Sequence, residues 1–261
     1  MARSALLNVM VGAAMKAGRG LARDFGEVQN LQVSMKGPGD FVSSADRRAE
    51  QVIRDELRKA RPNYGLLMEE SGVVEGRDPQ HRFIVDPLDG TTNFLHGIPV
   101  FAVSIALERN GELFAGVIYN PAMDELYVAE RGAGAFLNDR RLRVAGRRDL
   151  RECVIATGIP HLGRGNHGLH LEEQRRVMAQ AAGIRRAGAA AIDLAWVAAG
   201  RFDGFWERGL SPWDMAAGIL ILREAGGLVS DLSGGGDAMA TGNICAGNEH
   251  VHPRLLSLLN A

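Results

Sequence analysis

Phe83-Ile84-Val85-Asp86-Pro87-Leu88-Asp89-Gly90-Thr91-Thr92-Asn93-Phe94 is the stretch on which the fold and the chemistry of this 261-residue chain turn. Phe83–Val85 is a short apolar run of strand character, so Asp86 stands at a strand end, where sites on such sheets tend to lie. Pro87 biases Asp86 toward extended geometry, and Asp89 returns a second carboxylate three residues later. Gly90-Thr91-Thr92 then offers successive backbone N–H groups, which form an anion site if a helical turn begins there. Carboxylates beside an anion-binding amide cluster need a cation between them, so the string reads as metal plus phosphate. A calcium loop of the EF-hand type does not fit, because Leu88 and Gly90 fall where oxygen-bearing side chains are expected. A turn with two surface aspartates is the plainer alternative.

Upstream, Gly65–Met68 predicts a strand that ends at Glu69-Glu70. Ser43 or Ser44 caps a helix from about Ala45 to Ala60, ended by Pro62, and Val33–Lys36 predicts a short strand before the Gly37-Pro38-Gly39 break. Leu6, Val9, Met10, Ala13, Ala14, Ala17 and Leu21 recur at helical spacing with Lys16 and Arg19 opposite, which favours an amphipathic first helix over a cleaved targeting segment. Downstream, Val100–Glu108, the Asn110-Gly111 turn and Leu113–Tyr119 predict a hairpin, continued by strands Leu126–Ala129 and Ala135–Leu137. Residues 1–148 therefore form an α+β half with an antiparallel sheet.

The pattern changes near residue 150. Strands at Cys153–Thr157, Ile184–Arg186, Phe202–Glu207, Leu228–Ser230 and Ile244–Ala246 alternate with helices at Leu169–Ala182, Ala189–Ala199, Pro212–Ala225 and His250–Leu259. Residues 149–261 thus predict an α/β half. The chain carries 30 Lys and Arg against 31 Asp and Glu, so no basic surplus exists for a direct grip on nucleic acid or anionic membrane. Two cysteines, Cys153 and Cys245, show no paired ligand spacing, so neither a zinc site nor a disulfide scaffold is indicated, and a reducing, cytoplasmic setting is expected. The Arg185-Arg186 pair is expected to be solvated or at a subunit interface.

The string from Asp86 to Phe94 resembles the first signature of the inositol monophosphatase family, magnesium-dependent and lithium-sensitive phosphatases. The Glu69-Glu70 pair before it, Trp213-Asp214-Met215-Ala216-Ala217-Gly218, the upstream Glu207 and the downstream Gly226-Gly227 are similar to the family's further motifs in order. The resemblance implies a layered αβαβα sandwich of the sugar-phosphatase type. It implies that Glu69, Asp86 and the Leu88 carbonyl hold one Mg²⁺, that Asp86, Asp89 and Asp214 hold a second, and that Glu69 with waters holds a weaker third. By the same resemblance Thr91 and Glu69 orient the attacking water, Asp46 accepts the Thr91 hydroxyl proton, and Glu70 supports the ligands. The Gly90 and Thr91 amides and Lys36 meet phosphate, and Asp89, Gly188, Ala190, Glu207 and Asp214 meet the alcohol. Ala189 departs from the family, which often has Ser or Thr there.

Electrostatics supports the same set. Two carboxylates 4 Å apart at an effective dielectric near 20 repel by about 4 kcal/mol, so such a cluster binds cations or takes up protons. An all-oxygen set without Cys or His favours a hard ion, and Mg²⁺ suits phosphate chemistry. The expected activity is hydrolysis of inositol-1-phosphate or a similar small phosphate monoester by a homodimer. Rival substrates are fructose-1,6-bisphosphate, histidinol phosphate and 3′-phosphoadenosine nucleotides, and Thr92-Asn93-Phe94 favours the inositol branch. Bacterial members of the family are also implicated in transcription complexes, so a mainly non-catalytic role among such proteins is the alternative from another class.

Overall fold

A computed structural model of the chain describes residues 3–27, 33–37, 40–160, 163 and 165–261, with the backbone alone for 33–37 and 40–42. The first helix, α1 (Ala5–Phe25), is capped by the Ser4 side chain and buries Leu7, Met10, Ala14, Ala17 and Leu21 along one face, the stripe its apolar spacing dictates. A short antiparallel pair, β1 (Val33–Gly37) and β2 (Asp40–Ser43), leads into α2 (Ser44–Ala60). Ser43 and Asp46 close the start of α2 in a reciprocal capping box.

The next residues build an eight-stranded sheet. Its strands are β3 (Tyr64–Met68), β4 (Gly72–Val74), β5 (Asp78–Asp89), β6 (Ala102–Arg109), β7 (Glu112–Asn120), β8 (Glu125–Glu130), β9 (Gly134–Leu137) and β10 (Arg140–Arg141). They lie in the order β10-β9-β8-β7-β6-β5-β3-β4, with a short helix, α3 (Thr91–Leu95), between β5 and β6. Asn110 and Gly111 both take positive φ (54° and 76°) and close the β6–β7 hairpin as the sequence predicts. The antiparallel expectation holds from β5 to β10 but fails at one pair. The strand β4 folds back on one side of β3, and β5 then pairs with the other side, parallel to β3.

The remaining elements are β11 (Val154–Thr157), α4 (His167–Met178), β12 (Gly183–Arg185), α5 (Ala190–Ala198), β13 (Gly204–Glu207), α6 (Pro212–Glu224), β14 (Leu228–Ser230), α7 (Ala238–Thr241), β15 (Ile244–Gly247) and α8 (Val251–Leu259). Five strands form a second sheet in the order β12-β11-β13-β15-β14, parallel from β12 to β13 and antiparallel at both edges of β15. Helix α4 stops four residues short of the expected Ala182, and Gly183 opens a strand instead of closing the helix.

Three apolar clusters weld the layers. Phe83, Val85, Val103 and Ile105 face α1 and α2, whereas Ile84, Ala106 and Ile118 face α5 and α6, the period-two alternation of a sheet buried on both sides. Helices α5 and α6 fill the space between the sheets with Ile192, Leu194, Met215 and Leu220 against Phe205 and Ile244. Val177 of α4 and Val251 and Leu255 of α8 cover the far face with Ile155, Trp206 and Cys245. The result is the αβαβα stack expected from the sequence. Cys153 and Cys245 are both free and buried. Among the described residues, no helix is long and apolar enough to cross a membrane.

Candidate active site

Strand β5 does not end before Asp86 as the sequence predicts: it resumes pairing past a backbone irregularity, runs to Asp89 and so carries two of the acids. Asp86 pairs with Ser104 and Asp89 with Ala102, so β5 uses one residue more than β6 between these pairs. Residues three apart on a regular strand face opposite sides. The extra residue resets that phase, and Asp86 and Asp89 line the same cavity, of about 200 Å³. Pro87, which cannot donate to a ladder, sits in the bulge. One oxygen of each acid is fixed by an amide: Asp86 Oδ1 accepts from the Leu88 N–H at 2.9 Å, and Asp89 Oδ2 from the Ala191 N–H of α5 at 2.7 Å. The chain then turns at Gly90 with φ of +91°, and a Cβ there would stand 2.9 Å from the Val100 carbonyl oxygen.

Three other elements deliver the rest. Glu69 follows β3, and its N–H donates to the Val85 carbonyl at 3.2 Å, which anchors it beside Asp86. Asp214 occupies the third position of α6, and its Oδ2 accepts from the Ser211 N–H at 2.7 Å in a capping box opened by Pro212. Glu207 ends β13, and Gly188, Ala189 and Ala190 lead into α5; all of these reach the same cavity. A Cβ at Gly158 would stand 1.8 Å from Glu207 Oε1, so the opposite wall is backbone close against that carboxylate.

Asp46 stands behind the cavity wall. It is fully buried, and the Thr91 hydroxyl donates to its Oδ1 at 2.9 Å, with the Leu88 carbonyl also 3.1 Å from that hydroxyl. Asp46 Oδ2 accepts from the Ser43 N–H at 2.8 Å and from the Ser43 hydroxyl. Glu70 lies outside the cavity wall, and its N–H donates to Glu50 Oε2 at 2.9 Å. Glu50 is a buried acid that the sequence reading passed over. Lys36 lies in β1, and its side chain falls outside the described residues.

Crowding of acids dominates the electrostatics. Burial, and then the charges of Glu69, Asp89 and Asp214, hold the Asp86 carboxyl well above the usual carboxylate range. Asp89 is raised in the same way by burial and by Asp214, with the Ala191 N–H working against the rise. Burial and the Asp214 charge push Glu207 up to about 8, and Arg186 opposes them. Among the described residues, no three acids, histidines or cysteines stand at the spacing of a closed metal cage. The acids are gathered around one space, with one oxygen each of Asp86, Asp89 and Asp214 held by a backbone amide.

Two charged residues of the cavity wall are not among those the sequence assigns to the site. Arg186, expected to be solvated or at an interface, is exposed but lines this cavity, and Asp193 of α5 lies on its wall, buried. The signal for Asp193 is a lone acid inside the apolar run Ala189–Ala199.

Known proteins match along the whole chain. The sequence model of the inositol monophosphatase family covers residues 2–261. An inositol-1-monophosphatase of Mesorhizobium japonicum is 72% identical over 256 residues, 98% of this chain and 96% of its own. The Nus factor SuhB of Escherichia coli is 46% identical over 252 residues, 97% of this chain and 94% of its own. A crystal structure of the extragenic suppressor protein suhB from Bartonella henselae superposes with a TM-score of 0.96 at 67% identity, covering 98% of both chains.

Proposed function

The chain belongs to the inositol monophosphatase family, and from that premise we propose that it is a Mg²⁺-dependent phosphatase that hydrolyses inositol-1-phosphate or a similar polyol phosphate. The observation that carries this reading is the bulge in β5, which turns Asp86 and Asp89 to one side, into a cavity shared with Glu69, Thr91 and Asp214. The donor set fits the ion: buried, mutually repelling carboxylates with no sulfur or imidazole favour a hard divalent cation. Glu69, Asp86 and the Leu88 carbonyl would hold one Mg²⁺; Asp86, Asp89 and Asp214 a second; Glu69 with waters a weaker third. Bound there, the ions supply Lewis acidity toward water and the phosphoryl oxygens.

The chain's own groups do the rest. The Thr91 hydroxyl has a single proton, committed to Asp46 and Leu88, so toward the cavity it acts as an acceptor. It therefore holds a water by one of that water's protons, and Glu69, on the same wall, takes the other as the oxygen attacks phosphorus; the ester P–O bond opposite breaks, and the departing alcohol oxygen takes a proton from solvent. Asp46 is a positioning residue, itself fixed by Ser43. Glu70 supports from behind the wall. The Gly90 and Thr91 amides, at the start of α3, precede any carbonyl of that helix able to accept them and turn to phosphate oxygens, with Lys36 as a further phosphate contact. Asp89, Gly188, Ala190, Glu207 and Asp214 face the alcohol, where a carboxylate accepts from neighbouring hydroxyls. A homodimer and inhibition by lithium belong to the same proposal.

A substrate panel at saturating Mg²⁺ tests it. The expected order places inositol-1-phosphate first in kcat/KM; a higher value for fructose-1,6-bisphosphate, histidinol phosphate or a 3′-phosphoadenosine nucleotide contradicts it. The name of the Escherichia coli relative supports a second reading, a role among transcription-complex proteins through protein contacts. Growth of a deletion strain carrying an inactive Asp89→Asn protein separates the two.

A further inference from the structure

Asp193 has no task in the reading above, and its position is costly. Helix α5 is otherwise apolar, with Ala190-Ala191-Ile192 before Asp193 and Leu194-Ala195-Trp196-Val197-Ala198 after it. The residue is 1% exposed, and its Oδ1 is enclosed without a hydrogen-bond partner. Polar oxygens are rarely buried unpaired, because the water they lose is not replaced. Nor does Asp193 cap its own helix: Asp89 takes the Ala191 N–H, and the Asp193 N–H donates to the Ala189 carbonyl.

What Asp193 does share is the cavity. It lies on the wall with Glu207 and Asp89, within electrostatic reach of both, and the Arg186 guanidinium offsets part of the crowding. Local rules of folding are most often broken where a site needs the residue. The donor that Asp193 lacks within the chain is available on a polyol.

We propose that Asp193 is a specificity-determining residue for the alcohol half of the substrate, accepting a hydrogen bond from a hydroxyl that Glu207 does not hold. The cleft then recognises at least two hydroxyls of a polyol and not merely one phosphorylated oxygen. This rests on the polyol-phosphatase reading, and the test separates the failure of one from the failure of the other.

Steady-state kinetics with Mg²⁺ on the full chain uses two probes, inositol-1-phosphate and p-nitrophenyl phosphate, which has no hydroxyls beyond its ester. Asp193→Leu is expected to raise KM for inositol-1-phosphate about tenfold or more, with kcat within about twofold and both constants for p-nitrophenyl phosphate unchanged. If that variant does not fold, Asp193→Asn carries the test, with an expected rise of about threefold or more on the inositol ester alone. An unchanged KM for inositol-1-phosphate, or an equal loss on both substrates, overturns the proposal. A wild-type protein that cleaves p-nitrophenyl phosphate but no polyol phosphate overturns the functional reading as well.

Discussion

Asp89→Asn should make the metal-free protein more stable and the enzyme inactive. Asp89 is held among Asp214, Glu207 and Glu69, and burial adds to their effect on its carboxyl group. Two buried carboxylates about 6 Å apart repel by roughly 3 kcal/mol at an effective dielectric near 20. Protonation relieves part of that strain at neutral pH, which leaves on the order of 1–3 kcal/mol to be recovered when the charge is removed. The amide keeps the structural contact, because its carbonyl oxygen can still accept from the Ala191 N–H, now at 2.7 Å. For a chain of this size the gain corresponds to a rise of roughly 2–6 °C in Tm. The assay is thermal unfolding at pH 7.5 in EDTA and again in millimolar Mg²⁺. Mg²⁺ should raise Tm of the wild type by linkage and raise that of the variant less. Turnover should fall by orders of magnitude. A variant less stable than wild type in EDTA, or turnover near the wild-type level, would refute the clustering of charge at this site.

Other outcomes follow from the same contacts. Glu207 is raised to about 8 in the fold against 4.5 as its ordinary value, so between those limits the folded state holds the proton more tightly than the unfolded chain. In EDTA, stability should therefore fall as pH rises from about 5 to 8, by less than about 1.4 kcal/mol per unit, and Glu207→Gln should flatten that slope. Urea titrations at several pH values check it. Asp46→Ala removes both the α2 capping box and the acceptor of the Thr91 proton; stability should drop by about 1 kcal/mol and kcat by roughly 10²-fold with KM little changed. Glu173 of α4 is fully buried and held by Arg208 at 2.6 Å, so Arg208→Ala should cost on the order of 3 kcal/mol in a urea titration. A cost below about 1 kcal/mol would show that water reaches Glu173.

Much of this arrangement was written locally. The strand character of Phe83–Val85, the Asn110-Gly111 turn, the apolar stripe of α1 and the small residues after Asp214 at the head of α6 each rest on neighbours in sequence, and each is where it was expected. What was not legible depends on partners far along the chain. That Asp86 and Asp89 face the same way depends on a bulge defined against β6, and a strand read alone would point them apart. The parallel pairing of β3 with β5 depends on β4, a three-residue edge strand too short to signal itself. Asp193 sits inside an apolar helical run that does not by itself point to a site, and only the approach of β13 and β5 gives it a cavity to face. Arg186, expected to be solvated or at a subunit interface, is exposed, and an Arg-Arg pair in sequence carries no information about which solvent-filled space an arginine borders.

Crystals of the protein soaked in Mn²⁺, a divalent ion that suits the same oxygen donors and scatters anomalously, test most directly whether these acids are a cation site. Anomalous peaks are expected within coordination distance of Asp86, with Glu69 on one side and Asp89 and Asp214 on the other. Peaks elsewhere on the molecule with this cavity empty, in crystals of otherwise unchanged fold, would contradict it.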